Sequence, residues 1–400
     1  MTDTPFLSHF INKQVTFRFM RQELRLALSQ SLFSSFDVDV GTRLLLKTIA
    51  KEVDLQAVQS ALDVGCGVGT LGLAVKKAAP HIALTVQDRD ALAVAFTQMN
   101  ARRNKIGGVT AVAGLAFQYI SGSFDLILSN LPGKAGQPVL RHMLAQMAGQ
   151  LTERGLAAIV IVNPLADWLA NTLQQQGSVI TFTERGKGHT VFHFRGGEGQ
   201  PPIVEQEADL LHPYMRGQFP FKMGKQTFTL RTVYNLPEFD TLGHQTTLAL
   251  SLLKNEQVSG RVLVWNPGQG HMPLYLHRQF GQKIEHMTLA GRDALSLENG
   301  RANLIVHGAN PAQLTLHHIP TIQDLPGSYD WVIAFPEADP GVPWEDYLWA
   351  GLSTAVSKPG HLLLTAKSSF IFRLLAVPHP FHKKNDRKKH GYRALLLKST

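Results

Sequence analysis

Short apolar runs alternate with amphipathic stretches along the whole chain. Ser60 to Val64 is one such run, and it closes on Asp63 and a glycine-rich turn. Leu71 to Ala78 then carries the apolar spacing of a helix. The same alternation continues: Ala83 to Val86 as strand, Ala91 to Asn104 as helix, then Phe124 to Ser129 and Ala157 to Val162 as buried strands. Strands that are apolar throughout are buried on both faces. Their alternation with helices predicts an α/β fold with a parallel sheet covered on both sides. In such sheets ligands bind beyond the carboxyl ends of the strands.

The pattern occurs twice. Phe36-Asp37 returns as Phe239-Asp240, and Arg89 to Leu92 returns as Arg292 to Leu295, each 203 positions later. Gly188 is matched by Gly391 at the same offset, and the run from Asp125 by the run from Asp330 at 205. A nearly constant offset between weak matches predicts a tandem duplication. The Gly- and Pro-rich segment Gly196 to Pro202 is its natural boundary. The expected domains are residues 1–197 and 198–400.

Composition narrows the class. The 400 residues are 44% hydrophobic and 17% charged, as in ordinary globular chains. The single cysteine, Cys66, excludes an intrachain disulfide and a multi-thiolate zinc cluster, and fits a reducing cytoplasm. No signal-peptide pattern opens the chain and no apolar run reaches membrane length. Histidines number 17, yet none falls at metal-ligand spacing, so no metal is expected. The net charge of +9 allows a polyanionic partner, although dispersed surface charge explains much of it. Two concentrations stand out: Arg18, Arg21 and Arg25, and the denser cluster Lys383, Lys384, Arg387, Lys388 and Lys389.

Chemistry concentrates in Asp63-Val64-Gly65-Cys66-Gly67-Val68-Gly69. Gly65, Gly67 and Gly69 let the backbone turn tightly and approach a ligand closely. Asp88, 25 positions after Asp63, ends the second strand, where a carboxylate can accept both hydrogen bonds of a ribose diol. Dinucleotide dehydrogenases also use such a loop, but with G-x-G-x-x-G spacing rather than the D-x-G-x-G-x-G found here. The loop resembles motif I of class I methyltransferases, which bind S-adenosylmethionine. Ser129-Asn130-Leu131-Pro132-Gly133 follows a strand and resembles the N-P-P-Y/F motif of methyltransferases acting on amino or amide nitrogens. There Asn130 and the Leu131 carbonyl would accept the two N–H bonds of the acceptor nitrogen, with Pro132 completing the motif. An ordinary Asn-x-Pro-Gly turn would read the same way. The lead-in segment Leu32 to Leu46, with Phe33, Ser34, Asp39, Gly41, Thr42 and Leu44 to Leu46, is similar to the F-S-x-x-x-L-D-x-G-T-x-L-L-L phrase of the two-domain ribosomal RNA guanine-N2 methyltransferases of the methyltransferase small domain family.

That resemblance implies two tandem Rossmann-like class I methyltransferase domains, one degenerate. It implies S-adenosylmethionine as cofactor, RNA, in particular ribosomal RNA, as partner, and a cytoplasmic monomer. The relatives usually carry the degenerate copy first; here the order is reversed. The second loop reads Asn266-Pro267-Gly268-Gln269-Gly270-His271-Met272, with Asn266 taken as the counterpart of Asp63 and Met272 of the last glycine. Gly291 stands for Asp88, and Phe335 and Glu337 for Asn130 and Pro132. The first copy departs as well. Its third strand ends without the usual acid, so adenine would rest on backbone and apolar contact near Leu115. Gly133 replaces the base-stacking aromatic, for which Phe33, Phe36 and Trp168 are substitutes. Two other readings stay open: an acceptor that is a protein glutamine or small molecule, and an RNA-binding protein without catalysis.

Overall fold

The structure, a computed structural model, describes residues 5–32, 37–197, 210–223, 226–338 and 343–399. Phe33 and Phe36, and most of the Gly196 to Pro202 segment, lie outside the described residues. Contacts divide the chain into two compact units, Met1–Pro213 and Tyr214–Thr400.

The first unit opens with a hairpin of β1 (Lys13–Phe19) and β2 (Gln22–Leu28), then α1 (Val40–Glu52). There follow β3 (Ser60–Val64), α2 (Thr70–Ala78), β4 (Ala83–Asp88), α3 (Ala91–Arg103), β5 (Val109–Ala113) and β6 (Phe124–Asn130). It closes with α4 (Gln137–Gly149), β7 (Leu151–Val162), α5 (Ala166–Gln175), β8 (Val179–Arg185) and β9 (His189–Arg195). The second unit repeats this series. Its hairpin is β10 (Met215–Met223) and β11 (Gln226–Val233), followed by α6 (His244–Leu253), β12 (Gly260–Trp265), α7 (His271–Phe280), β13 (Ile284–Gly291) and α8 (Ala294–Val306). Then come β14 (Leu314–His318), β15 (Tyr329–Ala334), α9 (Glu345–Ala355), β16 (Val356–Lys367), α10 (Ser368–Leu375), β17 (Phe381–Lys389) and β18 (Tyr392–Ser399).

The two seven-stranded sheets have the same order, β5-β4-β3-β6-β7-β9-β8 and β14-β13-β12-β15-β16-β18-β17. Five strands of each are parallel, as the apolar runs predict. The last two differ from that expectation: β9 runs antiparallel to both β7 and β8. The turn through Gly186 to Gly188 is too short for the crossover that a parallel pair needs. Both faces are packed. In β12, Val262 and Val264 join one buried cluster while Leu263 and Trp265 join another. Among the described residues no helix is long and apolar enough to cross a membrane.

The hairpins are not among the continuous apolar runs; their strands alternate instead, with Val15, Phe17 and Phe19 in β1 and Leu24, Leu26 and Leu28 in β2. The β1–β2 turn is made by Met20 and Arg21, both left-handed at φ 43° and 64° without a glycine. The usual Asn-Gly signal of a two-residue turn is therefore missing. Its strand β2 buries Leu24, Leu26 and Leu28 completely. Polar clamps fix it. Asn100 Nδ2 donates to the carbonyls of Ala27 (3.1 Å) and Val68 (2.9 Å), and its Oδ1 accepts from the Ala27 amide (2.8 Å). Asn303, 203 positions on, does the same between Arg231 and Gln269. Asp90 and Asp293, also 203 apart, cap α3 and α8 through the amides of Leu92 and Leu295. Asp125 and Asp330 hold the starts of β3 and β12.

Each clamp acts within its own unit. Asn100→Ala strands buried backbone groups at a cost of roughly 1–3 kcal/mol. Denaturant unfolding should show the first unit's transition shifted and the second's unmoved, with Asn303→Ala giving the reverse. Equal shifts of both transitions would contradict independent clamps.

Candidate active site

The β3–α2 loop is built on three left-handed glycines, Gly65, Gly67 and Gly69, at φ 76°, 55° and 88°. Two of them border open space: a Cβ at Gly65 or Gly67 would meet nothing within 4 Å. At Gly69 a Cβ would strike Leu73 and Thr97 at 2.8 Å. The Gly65 and Cys66 amides donate to the Gln87 carbonyl at 2.8 and 3.0 Å, which fastens the loop to β4. Cys66 is buried, and burial pushes its thiol well above the ordinary range, so it is chemically inert.

Two carboxylates flank this loop. Asp63 is fully buried; its Oδ2 accepts from the Gly72 amide at 2.8 Å, while Oδ1 is buried without a partner. Burial pushes its pKa up to about 7, against the pull of the Gly72 amide, and the nearby Asp88 charge adds to the rise. Asp88 accepts from the Gly67 amide through Oδ2 and from the Asp90 amide through Oδ1, both at 2.9 Å. Burial raises it to about 6, offset in part by those amides. The result is an acidic, loop-oriented pair beside open space.

Asn130 ends β6. Its Nδ2 donates to Asp39 Oδ2 at 3.0 Å and Thr42 Oγ1 at 3.1 Å. A carboxylate can only accept, so this contact assigns the amide nitrogen to the α1 side and leaves Oδ1 as the outward acceptor. Asp39 also caps α1, accepting from the Gly41 and Thr42 amides. Gly41 is required by crowding: a Cβ there would lie 2.9 Å from both Asp39 Oδ2 and the His189 ring. Asp39 and Thr42 belong to the lead-in motif that points to the family, but the sequence does not reveal their contact with Asn130. Ser129, next to Asn130, is buried and ties β6 to the Val64 carbonyl at 2.8 Å. Leu131 is buried and its amide donates to the Val160 carbonyl at 2.9 Å; Pro132 is exposed. A Cβ at Gly133 would approach the Val162 side chain at 3.1 Å, so a larger residue here would require Val162 to shift.

Leu115 does not sit as the sequence suggests. It is fully buried, its amide is spent on Gln118 Oε1 (2.9 Å), and its carbonyl accepts from Gln87 Nε2 (2.8 Å). Its amide is therefore not free to contact adenine, and its side chain is not exposed. The exposed ring of that loop is Tyr119, 73% exposed and left-handed at φ 62°. A Cβ at Gly114 would lie 3.3 Å from this ring, and the Gly114 amide donates to the Asp88 carbonyl at 3.0 Å. No sequence motif marks Tyr119. Trp168 is half-buried on α5, with the Arg141 guanidinium 5.9 Å from its ring.

The second unit corrects one alignment. The strand register sets Val264, not Asn266, in the place of Asp63, because Val264 pairs with Leu289 and Ile333 as Asp63 pairs with Val86 and Leu128. Asn266, left-handed at φ 57°, stands where Gly65 stands, and Gly268 and Gly270 match Gly67 and Gly69. The loop glycines thus survive, whereas the buried carboxylate is gone. Asn266 Nδ2 donates to the Phe335 carbonyl at 3.1 Å, and its Oδ1 lies 2.8 Å from where a Cβ at Gly291 would be. The amide fills the space that a side chain at 291 would need. Phe335 takes the place of Asn130, as the sequence indicates. Among the described residues no cluster of three or more His, Cys, Asp or Glu side chains could hold a metal.

Sheet order, loop and β6 terminus together define a Rossmann-like class I methyltransferase fold, present twice and degenerate in the second copy. Residues 23–193 match the family model described as Methyltransferase small domain, so the first unit carries that domain. The ribosomal RNA small subunit methyltransferase C of Pasteurella multocida is 37% identical over 110 residues, which is 28% of this chain and 32% of the relative. That of Actinobacillus pleuropneumoniae serotype 7 is 34% identical over 133 residues, 33% of this chain and 40% of the relative. These matches thus span well under half the length of the curated relatives. A T. thermophilus 16S rRNA N2 methyltransferase, solved with S-adenosylmethionine and guanosine, superposes with a TM-score of 0.65. The superposition covers 98% of this chain and 99% of that one, at 15% identity.

The raised Asp63 pKa has a measurable consequence. A folded-state pKa of about 7 against 3.8 unfolded means the folded protein holds the proton more tightly. Stability from this group is complete below about pH 4. It is lost as pH rises towards 7, by about 1.4 kcal/mol for each pH unit between those two values. Asp63→Asn should flatten that loss, so the variant gains on wild type between pH 5 and pH 8 in denaturant unfolding. Parallel pH profiles would show that Asp63 is not a buried, protonated acid.

Proposed function

We propose that the first unit is an S-adenosylmethionine-dependent N-methyltransferase whose substrate is ribosomal RNA, with a guanine exocyclic nitrogen as acceptor. The observation that carries this reading is the anchored Asn130 amide, whose outward oxygen is an oriented hydrogen-bond acceptor at the carboxyl end of β6. The names of the relatives and the structural neighbour agree with the substrate.

The residues fit the cofactor. The partnerless Oδ1 of Asp63 and the open space beside Gly65 and Gly67 are features a ligand would complete. Asp88, its carboxylate already aligned by two amides, would accept the ribose hydroxyls. Tyr119, beside Gly114, would lie against the adenine in place of the missing acid. When bound, S-adenosylmethionine supplies a methyl group on a positively charged sulfur. Asn130 Oδ1 and the Leu131 carbonyl would accept the two N–H bonds of the exocyclic amine and hold its lone pair in line with that methyl. An aromatic amine is a weak nucleophile, and its N–H groups become stronger donors as positive charge develops. These contacts therefore favour the transition state over the ground state. No metal is needed for this chemistry, and one copy of the chain supplies every group named.

Mass spectrometry of ribosomal RNA from cells with and without the gene tests the substrate directly. One methylated guanosine should vanish with the gene and return with wild type. Unchanged RNA in both strains would move the acceptor to a protein glutamine or a small molecule. Calorimetry should give one S-adenosylmethionine per chain; two would mean that Asn266 does not close the second site. Because Asp63 and Asp88 hold protons up to about pH 7 and 6, a cationic ligand that prefers their ionised forms should bind more tightly as pH rises from 5 to 8. Affinity that is flat or falls over that range would remove both carboxylates from the binding site.

A further inference from the structure

The basic C-terminal cluster folds as β17, the outer edge strand of the second sheet. Its charges fall into two groups. Lys384 pairs with Glu256 at 2.5 Å, Lys383 with Asp386 at 3.7 Å, and Arg393 with Asp386 at 2.6 Å. These three are paired within the unit, with Asp386 shared between Lys383 and Arg393. Arg387, Lys388 and Lys389 are exposed, and no ion pair engages them among the described residues.

Those three line a hollow of about 360 Å³ against α6. α6 contributes His244, Thr247 and Ser251, which fall on one face of the helix. His390, in the β17–β18 turn, stacks on His244 with ring centroids 4.4 Å apart and planes at 28°. The hollow therefore joins unbalanced cations and hydroxyl donors to a pair of stacked flat rings.

Cations on an edge strand also discourage edge-to-edge pairing. The first unit shows how little of that is needed here. Its equivalent edge strand β8 reads Val-Ile-Thr-Phe-Thr-Glu-Arg, with one cation and one anion, and exposes Val179 at 56%. Cation density thus rises only in the copy that has lost Asp63, Asp88 and Asn130.

We propose that the hollow between α6 and the β17–β18 turn, with Arg387, Lys388 and Lys389, binds the sugar–phosphate backbone of RNA. The chemistry is phosphate to guanidinium and ammonium, with the His244–His390 pair as a surface for a sugar or base. The assignment of the polymer as RNA rests on the proposed substrate. The site is separate from the methyl-acceptor residues, so it holds substrate without reading the target base.

Fluorescence anisotropy of the full-length chain with a labelled oligouridylate tests this, since that RNA contains no guanine. Arg387→Ala, Lys388→Ala and Lys389→Ala together should raise Kd by about 10- to 100-fold near 0.1 M salt and lower the log–log salt slope by about 2. S-adenosylmethionine affinity and the circular dichroism spectrum should not change, which separates lost contacts from lost folding. A control with the same charge loss elsewhere, Arg103→Ala, Lys105→Ala and Arg301→Ala, should bind nearly as wild type does. If the β17 variant binds as tightly as wild type, this site is overturned and the substrate reading stands. If the control loses as much, the effect is net charge and the site is likewise overturned. If wild type binds no oligouridylate, the site is overturned, and the substrate reading is decided separately by mass spectrometry of ribosomal RNA.

Discussion

The proposed acceptor site depends on one side-chain amide being held the right way round. An asparagine can present either its oxygen or its nitrogen, and a donor facing an incoming amine would repel it. Asp39 removes the ambiguity, because its carboxylate accepts only, and Thr42 adds a second acceptor contact. That requirement propagates into the fold. Asp39 must cap α1, so the helix must begin there, and residue 41 must be glycine to leave room for the carboxylate and the His189 ring. β6 must end at Asn130 in register with β3, which Ser129 secures through the Val64 carbonyl. The lead-in segment and the β6 terminus, 91 residues apart for Asp39 and Asn130, form a single device.

Comparing the two units separates what the fold needs from what the chemistry needs. The clamps at Asn100 and Asn303, the caps at Asp90 and Asp293, and the aspartates at 125 and 330 persist in both. Each satisfies backbone groups that would otherwise be buried unpaired. Asp63 and Asp88 accept from backbone amides as well, yet they and Asn130 are replaced by Val264, Gly291 and Phe335. The glycines of the second loop endure because φ remains positive at Gly268 and Gly270. A glycine-rich loop is thus compatible with a lost ligand site, and the carboxylates around it are the better indicator.

Much of this is legible in the sequence because it is local. Strand and helix alternation locates β3, β4, β6 and β7 with α2 and α3, and the D-x-G-x-G-x-G loop falls where a ligand would be met. What the sequence hides depends on distant partners. The first hairpin turns on Met20 and Arg21 rather than on glycine. Leu115 looks available for a ligand, yet its side chain is buried and its amide is spent on Gln118. Motif matching pairs Asn266 with Asp63, two places away from its true counterpart, because short motifs do not fix strand register. Tyr119 carries no motif; only its left-handed backbone and exposure beside Gly114 mark it.

The oriented Asn130 oxygen is the centre of the account, and single-turnover methyl transfer by Asn130→Ala addresses it most directly. The account predicts a rate lowered on the order of 100- to 1000-fold, with S-adenosylmethionine binding nearly unchanged, because the contact strengthens only as the acceptor nitrogen gains positive charge. Near-normal turnover by the variant would contradict the account: the segment from Ser129 to Lys134 would then be only a turn, and the acceptor nitrogen would be held elsewhere.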